Sequence, residues 1–273
     1  MADTAKYHGI GLADNWRLAR EPFAVELTTA SGHAFRRGPE SHPDWERLVQ
    51  PLQPVVLIRP PSSGFEFSGP GFSDSAEPPI LDEQGTLLPA LLDYVLRRHR
   101  TRFDDIVEAA RARIPGCNDI DIGTPLKETR SIEFKIENGL LLPCDGISVG
   151  VRHLIFYLAL AYHPNPPNLI LLEEPENGLH AHRLGEVMSI LRGITKGEHC
   201  GHAAQIIMST HSPHLLDHVN LDEDQVLVFR REDDGSRTAQ PVDKDRLKHF
   251  LHEFMLGEIW FNEEEAGLVS PKQ

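Results

Sequence analysis

Cysteine, long apolar runs and basic charge are all in short supply. Three cysteines, at positions 117, 144 and 200, make no C-x-x-C pair and leave an odd one over. That excludes a disulfide framework and leads us to expect a reducing, intracellular setting, here the cytoplasm. No stretch approaches the ~20 apolar residues that a membrane helix needs, so no membrane association is expected. The opening MADTAKYHGIGLADNW has no apolar h-region, and no signal peptide is visible in it. Lys and Arg number 27 against 41 Asp and Glu, a formal charge of −14. A surface that acidic disfavours broad contact with a phosphate backbone, although a local basic patch, or a partner that brings one, stays open. What the chain does have is 40% hydrophobic and 25% charged residues over 273 positions. At ~100–200 residues per domain, that is one large domain or two small ones able to bury a core.

Periodicity divides the chain. Residues 1–60 read as short strands and turns, with Phe23–Thr28 and Pro54–Arg59 as candidate strands and Pro60-Pro61 stopping the second. Residues 61–80 are rich in Ser, Gly and Pro, and read as a loop or flexible connection. Over 86–114 the period becomes helical: Leu88, Leu91, Leu92, Val95 and Leu96 recur at one spacing, then Phe103, Ile106, Val107 and Ala110. Thr101 and Asp104 look like a cap between two helices, and Pro115-Gly116 ends the segment. Arg97, Arg98, Arg100, Arg102, Arg111 and Arg113 sit here, either as a solvated helix face or as a contact for nucleic acid or an acidic partner. Ser131–Glu137 alternates as a half-buried strand, and Asn138-Gly139 reads as a hairpin turn into Leu140-Leu141-Leu142. From 147 the texture is α/β. A helix at about 149–162 precedes a buried strand Leu169–Leu172, a helix over 180–194 and a buried strand Ala203–Ser209. A third strand at Gln225–Phe229, a turn at Asp234-Gly235 and an amphipathic helix Lys244–Met255 follow. Strands alternating with helices predict a mainly parallel sheet flanked by helices.

Chemistry concentrates at the ends of those strands. Leu169–Leu172 run into Glu173-Glu174-Pro175, two adjacent carboxylates at a strand's C-terminal edge, where open α/β sheets bind ligands. One carboxylate can hold Mg²⁺ directly or through water, while its neighbour, on the other side of the strand end, can orient an attacking water. The alternative is a solvated strand terminus. Upstream, Gly146-Ile147-Ser148-Val149-Gly150-Val151-Arg152 opens a helix, and a Ser and a Gly there make an anion site from free N–H groups, a hydroxyl and the helix dipole. A plain Ser N-cap explains the same pattern. Downstream, Met208-Ser209-Thr210-His211-Ser212-Pro213 brings His211 to another strand end, as a phosphate ligand or as a structural histidine. Pro175-Glu176-Asn177-Gly178-Leu179-His180 is a tight loop between them.

In this order, ISVGVR, LILLEEPENGLH and IIMSTHSPHLLD closely resemble motifs of the ABC-type ATPase heads of the P-loop superfamily, and more narrowly the AAA-family ATPases related to RecF and OLD-type proteins. The likeness runs from about residue 130 onward and includes Phe254–Phe261. It implies a P-loop NTPase of ABC-ATPase type with a helical insertion and an incomplete N-terminal part. The expected division is strands and a Pro/Gly/Ser-rich loop over 1–85, a helical subdomain over 86–130 and the ATPase core over 131–273. By resemblance, Ser148 and Gly150, with Arg152, match the signature motif that contacts the γ-phosphate of ATP on a partner subunit. Glu173 matches the Walker B acid near Mg²⁺, and Glu174 the carboxylate that polarises water. Asn177 and Gly178 fall in the D-loop, which touches the other subunit, and His211 matches the switch histidine. Glu173 stands where the general family has Asp, so water-mediated metal contact is the expectation. Ala181 replaces a Pro often seen there.

The largest departure is that G-x-x-x-x-G-K-S/T, which cradles the phosphates in P-loop enzymes, does not occur. Gly64, Gly69 and Gly71 lie in a glycine-containing loop, but no Lys follows and no strand feeds it on this reading. The chain is therefore expected to correspond to the C-terminal part of such an ATPase and to bind nucleotide weakly alone. It would act as a homodimer or with a partner ATPase subunit, giving Ser148 and Gly150 in trans, with ATP and Mg²⁺ as the implied ligands. Two other classes compete. A metal hydrolase could draw on Glu173, Glu176, His180 and His182, or on His199, Cys200 and His202, although two histidines at i,i+2 on a helix diverge. A degenerate, non-catalytic subunit kept for dimerisation or regulation fits the missing phosphate loop.

Overall fold

Aliphatic runs too short for helices form the centre of one sheet. The computed structural model describes residues 4–8, 15–19, 24–28, 34–37, 54–71, 76–136, 139–143, 146–231 and 237–269. It divides into two units, one of residues 52–211 and the other of residues 1–51 with 212–273. In the first unit, Leu169–Glu173 (β10) lies between Val55–Ile58 (β5) and Gln205–Ser209 (β11), parallel to both. Ile58, Ile170 and Leu172, which share one face of this sheet, are buried, whereas Val55 and Ile207, on the other face, are exposed, so the buried character expected of both faces holds for one. Val149–Ala161 (α3) is buried at every position from His153 onward. Ala181–Lys196 (α4), packed against it, is amphipathic and turns Leu184, Val187, Met188 and Leu191 inward. It stops at Gly197, whose φ of 71° is the left-handed helix cap that glycine allows.

Leu88–Arg98 (α1) and Arg100–Arg111 (α2) pack on a second, antiparallel sheet of the same unit. Its order is Ser68–Pro70 (β6), Thr129–Ile136 (β8) and Cys117–Leu126 (β7), with Leu141–Leu142 (β9) also paired to β8. Asp93 on α1 is almost fully buried and accepts bonds from Arg97 Nε and Arg130 Nε, both at 2.7 Å, which ties the helix to β8. The other arginines of the helical run are similarly occupied. Arg100 pairs with Asp104, Arg102 donates to the His163 carbonyl, Arg111 to the Asn118 carbonyl and Arg113 to the Ala109 carbonyl. These ties favour a structural reading of the run over a nucleic-acid contact.

Several expectations need correction. Residues 61–80 are no simple connection: Phe65 and Phe67 are fully buried there, Phe65 stacking on Phe156 at 3.7 Å and Phe67 on Phe134 at 6.1 Å. Poverty in aliphatics concealed a core built from aromatics. The Gly64 loop is also fed by a strand, since β5 ends shortly before it and Gly64 N–H closes a turn on the Pro61 carbonyl at 2.8 Å. Thr101 is not a cap: α2 begins at Arg100 after His99, and no side chain caps it. Of the hairpin turn, Asn138 lies outside the described residues, while Gly139 has φ 72° and bonds back to Ile136. The Asp234-Gly235 turn lies wholly outside them.

The second unit holds a four-stranded antiparallel meander, Thr4–His8 (β1), Asn15–Ala19 (β2), Ala24–Thr28 (β3) and Ala34–Arg37 (β4). It also holds a hairpin, Leu227–Arg231 (β12) with Arg237–Pro241 (β13). The strand expected at Gln225–Phe229 is thus a hairpin arm and not part of the parallel sheet. Pro213–Leu216 (α5), Lys244–Leu247 (α6) and Leu256–Leu268 (α7) complete this unit, around a core of Leu216, Val228, Leu247, Leu256, Ile259 and Leu268. The helix expected over Lys244–Met255 breaks after one turn. Asp243 Oδ1 caps α6 through Arg246 N–H at 3.0 Å, and Glu258 takes the Met255 N–H at 2.8 Å, which starts a fresh helix. α7 approaches α5 closely at Gly257, where a Cβ would collide with the Pro213 carbonyl.

Candidate functional site

β10 and β11 end in register, Glu173 opposite Ser209, so the polar residues that follow each strand emerge side by side. Immediately after β10 the chain turns sharply. Glu174 has φ 46°, the only left-handed non-glycine residue among the described residues. That conformation costs an ordinary side chain ~1–2 kcal/mol and points to a constrained functional position. It is held by Glu174 N–H donating to the Ser209 carbonyl at 2.9 Å and by Asn177 N–H donating to the Glu174 carbonyl at 3.0 Å. The Glu174 carboxylate accepts a bond from Asn177 Nδ2 at 3.0 Å, and its other oxygen lies 3.9 Å from His211 Nε2. The His211 side chain is 83% exposed and that of Glu174 37%, so the pair opens to solvent.

Glu173 points elsewhere. Its Oε2 accepts a bond from Arg59 Nε at 2.6 Å, and Arg59 Nη1 reaches Glu83 at 2.8 Å. The bond to Glu173 and the charge of Glu83 raise the Arg59 guanidinium further above its usual value and keep it a cation. Arg59 sits just past β5, the other neighbour of β10, and sequence reading overlooked it because only strand pairing brings 59 and 173 together.

The start of α3 forms a second cluster. Ser148 is extended (ψ 151°), exposed and makes no capping bond, so its hydroxyl is not committed to the helix end. A Cβ on Gly150 would meet only Leu179 Cδ2, at 3.8 Å. Gly178 has φ 73°, and a Cβ there would meet Val149 Cγ1 at 2.8 Å and the Ser62 carbonyl at 3.0 Å. The loop after the acidic pair therefore lies on the first turn of α3 within one chain. Arg152 turns back onto its own protein, donating to the Ile147 carbonyl at 3.2 Å and lying over the Phe67 ring at 5.7 Å. Beneath the loop, His153 is fully buried, with Nδ1 2.9 Å from the Val149 carbonyl; burial holds its pKa below the ordinary value.

Glu176, two residues past Glu174, was weighed only as a metal ligand. Its Oε1 accepts from Thr210 Oγ1 at 2.6 Å and from His211 N–H at 3.1 Å. His180 and His182 do converge, Nδ1 to Nδ1 at 2.8 Å, because His180 is extended (ψ 142°) ahead of α4 and outside its helical turn. Among the described residues, however, no group of three or more His, Cys, Asp or Glu could hold a metal ion. Mg²⁺ usually takes one or two protein carboxylates and completes its shell with water and phosphate oxygens. Glu173, turned to Arg59, and Glu174, turned to Asn177, are separate carboxylates that such a shell could use singly.

A family model described as "AAA domain, putative AbiEii toxin, Type IV TA system" matches residues 15–217. The chain belongs to this AAA-domain family. Its fold is that of the ABC/AAA-type P-loop ATPases. An SMC head bound to the C-terminal winged-helix domain of ScpA is 10% identical with a TM-score of 0.50, covering 87% of this AAA-domain chain and 76% of that one. A structure described under "ATP-driven dimerization and DNA stimulated activation of SMC ATPases" is 16% identical with a TM-score of 0.43, covering 59% and 96%. A Pyrococcus furiosus Smc head with an extended coiled coil, bound to the C-terminal domain of ScpA, is 13% identical with a TM-score of 0.42, covering 60% of this chain and 40% of that chain. No curated protein matches the sequence. Among the described residues no helix is long and apolar enough to cross a membrane.

Proposed function

We propose that this AAA-domain protein is an ATPase head that acts as a dimer, or with a partner ATPase subunit, on a triphosphate sandwiched between two subunits. The observation that carries the reading is the strained Glu174, pinned by Asn177 and facing His211 at the open end of β10. A carboxylate so placed can orient a water for in-line attack and take its proton, while His211 can donate to the phosphoryl oxygens. Ser148, Gly150 and the positive end of the α3 dipole suit phosphate oxygens delivered by the other subunit. Asn177 and Gly178 hold the loop that would meet that subunit, and Arg152 supports the helix start from behind. Mg²⁺, touched by Glu173 directly or through water, would neutralise charge on the phosphates. The G-x-x-x-x-G-K-S/T loop, which this sequence lacks, would come from the partner subunit.

A second reading has its own support. The same missing loop, with Arg59 already neutralising Glu173, suits a subunit kept for dimerisation or regulation. Phosphate release and sedimentation with Mg-ATP, on wild type and Glu174→Gln, separate the two. The ATPase reading expects turnover to fall at least ~100-fold in the variant while ATP-dependent association persists. Unchanged turnover would remove Glu174 from the role. ATP-dependent association without turnover in wild type would favour the regulatory subunit.

A further inference from the structure

His211 faces Glu174, yet its ring is 83% exposed, so no packing fixes it there. Its position is set by its backbone, and that backbone is held by Glu176. One oxygen of the Glu176 carboxylate accepts from two consecutive residues, Thr210 Oγ1 at 2.6 Å and His211 N–H at 3.1 Å. Hydrogen bonds to a carboxylate are the stronger and shorter kind, and two converging on one oxygen define a direction as well as a distance. The other oxygen, Oε2, is buried. Beneath it, the fully buried Tyr157 hydroxyl reaches the Pro175 carbonyl at 3.5 Å and supports the same loop.

We propose that Glu176 is a positioning residue that sets His211 over Glu174 and couples the loop carrying the acidic pair to the segment that follows β11. The functional half of this inference rests on the ATPase reading above. Gly178, two residues on, lies against Val149 at the start of α3. A displacement of the loop at α3 is therefore passed by Glu176 to His211.

The test uses the full chain. Amide hydrogen exchange without nucleotide should show the His211 N–H losing protection at least tenfold in Glu176→Ala, with β10 and β11 unchanged. Glu176→Gln, which keeps an acceptor oxygen, should restore most of that protection. Thr210→Val, which removes only the hydroxyl, should lie between, and it keeps the test open if Glu176→Ala does not fold. In an ATP-turning assembly, Glu176→Ala should lower kcat as far as His211→Ala does, with KM unchanged, and the double variant should be no slower than either. Unchanged His211 exchange in Glu176→Ala overturns the inference, and so do kcat losses that multiply in the double variant. If the chain neither associates with nor activates a subunit that supplies the phosphate loop in Mg-ATP, while the exchange pattern holds, the ATPase reading fails and the positional coupling stands.

Discussion

Replacing Gly150 by Ala separates a phosphate site from a packing requirement. Gly150 is the second residue of α3, where Ala is the better helix former by up to ~1 kcal/mol. Nothing in the fold asks for a glycine: a Cβ would meet only Leu179 Cδ2, at the ordinary contact distance of 3.8 Å. An incoming phosphate does ask for one, because a methyl group beside the first-turn N–H groups blocks close approach. Gly150→Ala should therefore leave the melting temperature unchanged or raise it by up to ~4 °C, while ATP-dependent association is lost. Gly178→Ala is the opposite case. Its φ of 73° disfavours any Cβ, and that atom would lie 2.8 Å from Val149 Cγ1 and 3.0 Å from the Ser62 carbonyl. Conformational strain of ~1–2 kcal/mol and overpacking of ~1–3 kcal/mol together imply a loss of roughly 2–5 kcal/mol. Urea denaturation with sedimentation in Mg-ATP reads both quantities. A Gly150→Ala protein that still associates normally with ATP refutes the phosphate reading of this position, and one that melts several degrees lower refutes the structural argument.

Two stability predictions follow from buried polar groups in the same unit. Asp93→Ala should cost about 3–5 kcal/mol by urea denaturation, because it leaves the Arg130 guanidinium, only 11% exposed, without its partner. Asp93→Ala with Arg130→Met should recover much of that loss, and a single-variant cost under ~1 kcal/mol would contradict the burial argument. His153 and His163 are both held below the ordinary 6.5 by burial, against the opposing effect of their hydrogen bonds to backbone groups. The unfolded chain therefore binds more protons than the folded one as pH falls through 6.5. Their stabilisation is complete above that value and declines below it toward their folded pKa values, by up to ~1.4 kcal/mol per pH unit for each. Denaturation midpoints measured from pH 7.5 down to 5 should fall, and a flat or rising profile would show that these two rings are not buried neutral.

Strand-end chemistry was the most legible part of this protein. Leu169–Leu172 followed by two glutamates declares a buried strand and its polar end within six residues, because both signals are local. The α3 and α4 helices were readable for the same reason, since their periodicity and stops lie in one stretch of chain. The second unit was less so. Lys244–Met255 has helical periodicity, yet Phe250, Leu251, Phe254 and Met255 remain exposed and the helix restarts at Leu256. Local caps at Asp243 and Glu258 break it, and the restarted helix packs at Gly257 against Pro213, more than forty residues away. Phe65 and Phe67 were missed because isolated aromatics in a Ser/Gly/Pro-rich stretch have no period to betray their burial.

Local pattern alone thus determined the α/β texture and the motifs on which the family resemblance rests, and that resemblance singled out Ser148, Gly150, Glu173, Glu174, Asn177, Gly178 and His211. Tertiary structure decided which of them meet. It placed Glu174 within 3.9 Å of His211, gave Glu173 to Arg59, folded Arg152 back onto Phe67 and set Glu176 on Thr210 and His211. The physical reason is parallel pairing. It carries residues from three distant segments to one sheet edge, and one-dimensional spacing holds no record of that neighbourhood.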